Sequence, residues 1–222
     1  MKAKRELTFG LLYFGLLIFG YISGLFTFLA DFLFGNNSIY IFYHDYLVIV
    51  IKNIVRLIIY LIGISILAFT YQKVKNITYD KKTLPLKNKI ILYAITAVTI
   101  TIVSILANWQ LKILTDLGDK YNIYNVYVKL TEIAVLIAEI YLLVCMIYHF
   151  DKFTTSNFKS YKYFSFCIIP VLLTYSVYSL IVDFSIYQFV FIPFTILLGF
   201  IYPYTNKSLS ITYLIALLVF LF

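Results

Sequence analysis

The sequence predicts an all-α fold: a polytopic bundle of transmembrane helices in one domain, residues 1–222, with six full spans, a short seventh segment and a cytoplasmic N-terminus. Three observations carry this expectation. First, 63% of the 222 residues are hydrophobic and only 13% are charged, whereas a soluble domain is nearer half apolar and a quarter charged. Second, the apolar residues come in runs of about twenty, the length that crosses a hydrocarbon core of roughly 30 Å at 1.5 Å per residue. Third, the runs lack the sustained alternation that a membrane β-barrel requires.

Taken in order, the spans fall near 9–34, 46–71, 90–109, 124–149, 163–183 and 187–202. The first follows "MKAKREL", a basic start like that of a signal peptide. Its apolar stretch is longer than a signal's and no small-residue cleavage site follows, so a retained helix is expected. No lipobox cysteine or prenylation box is visible. The third and fourth spans bracket an outer loop with Lys112 and Lys120, and Pro170 and Pro193 should kink the fifth and sixth. The last piece, "SLSITYLIALLVFLF", has fifteen residues after Lys207. At about 22 Å it is short of a normal span.

Charge sets the orientation. With the N-terminus inside, the inner side holds Lys2, Lys4, Arg5, six lysines between Lys73 and Lys89, then Lys152, Lys159, Lys162 and Lys207. The outer side holds only Lys112 and Lys120, which is the positive-inside pattern. The net charge of +8 therefore reads as orientation of the chain, not as a nucleic-acid surface. Tyr40, Tyr43, Tyr46, Trp109, Tyr121 and Tyr124 fall at the outer interface, and Tyr71, Tyr161, Tyr163, Tyr202 and Tyr204 at the inner one, where amphipathic rings settle. No internal repeat is visible, and no loop is long enough to fold as an ATPase or a binding domain. Abundant Ile, Phe, Tyr, Lys and Asn suit an AT-rich genome and hence a bacterial cytoplasmic membrane.

Three cations fall inside spans: Lys52, Arg56 and Lys129. In "YLVIVIKNIVRLIIYLIG", starting at Tyr46, Arg56 lies ten residues in, or about 15 Å, near the midplane. A cation there costs roughly 2.5–3.5 kcal/mol on insertion scales and usually faces a bundle interior. Lys52 can snorkel outward on its longer reach to the interface. The fourth span, "YVKLTEIAVLIAEIYLLV", carries Lys129, Glu132 and Glu139 and runs in the same direction. Glu132 matches Lys52 in depth and Glu139 matches Arg56, and spacings of four and seven keep each set on one helix face. The expected pairs are Lys52–Glu132 and Arg56–Glu139, with Lys129 competing for Glu132.

Two readings follow. One is a clamp that fixes the register of spans two and four. The other is a site, made of Lys52, Arg56, Lys129, Glu132 and Glu139, whose surplus cation suits the carboxylate or phosphate of a small polar ligand or lipid headgroup. The site reading implies a small binding or transport component, working as a secondary carrier or with a partner ATPase. The clamp reading implies a non-transporting sensor, immunity or assembly factor acting through helix contacts with a partner membrane protein.

Other features carry less. His44 and His149 lie on opposite sides and cannot share a metal, and no two-histidine metal spacing appears. Asp31, Asp45, Asp116, Asp119 and Asp183 make the outer rim acidic. Cys145 and Cys167, near the inner ends of spans four and five, read as small apolar packing groups. "GYISG", Gly20–Gly24, permits close helix contact, most simply within the chain. No hydrolase or transferase pattern is present apart from the faint "HFDKF" beginning at His149, so neither an enzyme nor a cofactor is expected.

Overall fold

A computed structural model of the chain describes residues 2–23, 32, 44–75, 85–106, 123–157, 169, 172, 198–199 and 201–221. Within them lie helix α1 (Lys2–Phe19), tightening into a 3-10 turn at Gly20–Ile22, then α2 (His44–Lys75), α3 (Leu86–Leu106), α4 (Ile123–Asn157) and α5 (Leu209–Leu221). The described residues are all-helical, without a strand. The all-α expectation therefore holds, and two helices are long and apolar enough to cross a membrane: Tyr46–Gln72 of α2 and Val126–Thr155 of α4. The finer expectation of six full spans reaches past this. Helix α1 places Lys2, Lys4, Arg5 and Glu6 within its 18 residues, and α5 has 13 residues. Most of the expected spans at 163–183 and 187–202, with Pro170, Pro193 and Cys167, lies outside the described residues, as do Gly24, Asp31, Trp109 and the outer loop with Lys112 and Lys120.

Helices α2 and α4 also outrun the expected spans. Neither contains a proline, and the polar tail "DKFTTSN" continues α4 without a breaker. As a result His149 and Asp151 are helix residues one turn or more before the end of α4.

Contacts along the helices fix their directions. Glu6 of α1 meets Tyr71 near the end of α2 and His149 of α4. Further along α1, the Leu17 carbonyl meets Tyr60 of α2. Helix α1 is therefore antiparallel to α2 and α4, which run parallel to each other. Helix α5 reverses again: Lys207, just before it, meets Asp151 of α4, whereas Tyr213 within it reaches the Ile137 carbonyl at 3.4 Å. Arg5, Glu6, Tyr71, Lys152, Asp151 and Lys207 thus gather at one end of the bundle, called here the basal end.

Helix α4 is the central element. Half of its most apolar window is buried, against 17% for α2. Its Val135, Ala138, Leu142, Met146 and Phe150 pack with Tyr13, Leu17, Tyr60, Leu198, Tyr202 and Ala216. The outer stripe of α2, Ile58, Leu61, Ile62, Ile66 and Phe69, stays exposed. Close approach of α1 to α2 depends on two glycines. A Cβ on Gly20 would overlap the Tyr60 ring, and one on Gly63 would overlap the end of Leu16. The Gly20 end of the small-residue pattern thus serves packing within the chain.

The turn into α5 is a Schellman motif: Asn206 and Lys207 take φ of 53° and 60°. The Lys207 amide donates to the Tyr202 carbonyl at 3.3 Å and the Asn206 amide to Pro203 at 3.2 Å. Asn tolerates the left-handed position with little penalty, and the turn delivers the Lys207 side chain to α4.

Candidate functional site

Two polar layers cross the bundle, both built by α1, α2 and α4. In the middle layer Asn53, Arg56 and Tyr60 occupy one buried face of α2, at spacings of three and four. The Arg56 Nη2 pairs with Glu139 Oε1, and its Nε donates to the Tyr60 hydroxyl at 3.0 Å. That hydroxyl lies 3.0 Å from the Leu17 carbonyl and 3.2 Å from Glu139 Oε1. Having one proton, it donates to one of them at a time while accepting from Arg56. Three helices are therefore joined through one phenol. The Glu139 side chain as a whole keeps 21% of its surface open.

The outer part of this layer departs from expectation. Glu132 does not pair with Lys52; it takes Lys129 of its own helix at 3.0 Å, on an exposed face. Rise per residue explains this. From Arg56 back to Lys52 is four residues, about 6 Å, whereas from Glu139 back to Glu132 is seven, about 10.5 Å. With Arg56 and Glu139 joined, parallel helices cannot also bring Lys52 and Glu132 level. Asn53 turns toward α4 instead, donating to Thr131 Oγ1 at 3.2 Å. Of the five expected site residues, the structure brings together Arg56 with Glu139 and Lys129 with Glu132, while among the described residues Lys52 has no ion pair.

The basal layer centres on Glu6, 4% exposed, and His149, 3% exposed. Glu6 Oε2 lies 2.9 Å from His149 Nδ1. The Tyr71 hydroxyl lies 3.2 and 3.3 Å from the two Glu6 oxygens, and Arg5 Nη2 lies 3.7 Å from Oε1. Phe9 and Tyr13 stack on the His149 ring at 5.5 and 5.4 Å, and Tyr71 and Tyr148 meet it edge-on at 4.7 and 5.2 Å. Lys152 lies over the Tyr148 ring, bonds the Tyr148 hydroxyl, and donates to the Tyr71 hydroxyl at 3.3 Å. Beside this cluster Asp151 Oδ2 holds Lys207 Nζ at 2.7 Å. Between the layers, Cys145 is buried in the core cluster that also holds Tyr13.

Sequence reasoning passes over Glu6 because it sits among basic residues near the N-terminus. A signal was available: Glu6, Phe9, Tyr13 and Leu17 recur at helical spacing, so Glu6 continues the buried stripe of α1. Among the described residues no three of His, Cys, Asp and Glu gather as a metal site would need. The middle layer can offer its guanidinium to an anion only in exchange for Glu139, whereas the basal layer places an acid and an imidazole in proton-exchange distance. Comparison of the chain with protein-family models, curated proteins and solved structures finds no match.

Proposed function

We propose that the chain is a multi-pass membrane protein, of a bacterial cytoplasmic membrane, that binds or carries a small polar ligand or lipid headgroup at Arg56 and Glu139. The carrying observation is the Arg56–Glu139 pair itself, held between three helices through the Tyr60 hydroxyl. A clamp made of apolar side chains would hold the same helices as well or better, since replacing buried ion pairs by packed hydrophobic groups is often neutral or stabilising. A guanidinium kept at this depth is explained by a ligand that it must recognise. Alternating helix directions, the exposed apolar stripe of α2 and the basic residues at the basal end support several crossings with the N-terminus inside. Lys52, Lys129 and Glu132 lie outward of the pair and form the polar approach to it. The carrier is either a secondary transporter or the membrane part of an assembly with a separate ATPase.

The second reading, a partner-dependent sensor, immunity or assembly factor, is favoured by the closure of the Arg56–Tyr60–Leu17 network, which fixes helix register without any ligand. Native mass spectrometry of protein released from mild detergent separates the two. The binding reading expects a stoichiometric lipid or metabolite that is lost in Arg56→Gln, which removes the guanidinium that recognises it. Protein that carries no such ligand but is released together with another protein overturns it in favour of the second reading.

A further inference from the structure

The basal layer has no part in the binding reading so far, yet it is the more deeply buried of the two. The middle layer uses arginine, which stays charged at every physiological pH. The basal layer opposes its buried carboxylate with histidine, the side chain whose ordinary charge change falls between about pH 5 and 8. From the 2.9 Å separation of Glu6 Oε2 and His149 Nδ1, and from the groups around them, we propose that this pair is a proton-binding site and that the proton is the ion coupled to ligand binding.

With one proton between them the two groups are neutral overall, whether as carboxylate and imidazolium or as acid and imidazole. The surroundings accommodate both gain and loss. When the proton leaves, a carboxylate remains that accepts from Tyr71 and lies near Arg5, and Lys152 adds positive charge through the same phenol. When a proton is held on the imidazole, the faces of Phe9 and Tyr13 stack on a cation, which aromatic rings attract. Among the described residues the titratable and charged groups that face the pair include Arg5 and Tyr13 from α1, Tyr71 from α2, and Tyr148 and Lys152 from α4; Asp151 is engaged by Lys207. The Tyr71 hydroxyl and the half-buried Lys152 make a hydrogen-bonded route from Glu6 to the basal end. The proton comes from water on that side and returns to it, and no other bond forms or breaks.

This inference rests on the binding reading only for what the proton is coupled to. The site itself is tested by nitrogen NMR of the full chain in lipid, carrying isotope-labelled histidine. The chain has two histidines, so a His44→Gln background leaves His149 as the source of the signal. The expected result is a change in the His149 ring signals between about pH 5 and 8, which Glu6→Gln removes or displaces. Should Glu6→Gln fail to fold, Tyr71→Phe keeps the ring, removes a donor to the carboxylate, and should move the midpoint to higher pH. His149 signals that stay constant across the range overturn the proposal, as does a transition that neither variant moves. A silent His149 in protein that retains its ligand overturns the proton site alone. A titrating His149 in protein without ligand upholds the proton site and overturns the binding reading.

Discussion

The two polar layers share the same three helices but solve opposite problems. In the middle layer a permanent cation is neutralised by Glu139 and tied through Tyr60 to the α1 backbone, so removing one member strands the other. In the basal layer the group nearest the carboxylate is His149, which can be neutral; Arg5 stands farther off at 3.7 Å, and the other neighbours of the imidazole are aromatic faces and a shared phenol. A fixed charge imposes one arrangement; a titrating one permits two. Variants should therefore act on the middle layer at any pH and on the basal layer as a function of pH.

The largest effect is expected at the middle layer. Glu139→Gln leaves the Arg56 guanidinium buried without its anion, and breaking a buried pair from one side costs about 3–5 kcal/mol. Denaturant titration in detergent should record a loss of that size, while Arg56→Met with Glu139→Leu recovers most of it. Gly20→Ala comes next. Its methyl would enter the Tyr60 ring, which is itself fixed by Arg56 and Leu17, so overpacking of about 1–3 kcal/mol is expected from the same titration. Gly63→Ala meets only the flexible end of Leu16 and should lose less. Tyr60→Phe removes the hydroxyl common to three helices and should cost about 1–3 kcal/mol through groups left unsatisfied.

The smallest effect sharpens the contrast from the other side. Lys129–Glu132 is an exposed i,i+3 pair, and Glu132→Gln should change stability by no more than about 0.5 kcal/mol. Were Glu132 instead anchored to Lys52 of α2, as depth matching alone suggests, the loss would rival that of Glu139→Gln. Gly15→Ala, with open space at its Cβ, should be neutral or stabilising by up to about 1 kcal/mol, the helix-propensity difference.

How much of this was legible in the sequence differs between the layers. The all-helical class followed from run length and composition, because a backbone without water must satisfy itself within each helix. Arg56 and Glu139 stood out because ionic groups are rare in apolar runs and both lie at one depth. Lys52 and Glu132 matched in depth just as well, but a spacing of four against one of seven cannot be met twice by parallel helices of equal rise. Glu6 and His149 were hidden for another reason. Near a helix end, charged residues are ordinary, and only the packing of α1 against α4 turns Glu6 inward. The pairing of residues 143 apart in sequence is a property of the fold, with no local signature.

The most direct single measurement is a stability double-mutant cycle on Arg56→Gln and Glu139→Gln. The expected result is a coupling of roughly 2 kcal/mol or more, with the double variant far more stable than the two single losses would give if they added. Additivity within about 0.5 kcal/mol, the behaviour of sites that do not touch, would contradict the paired middle layer and, with it, the ligand site built upon it.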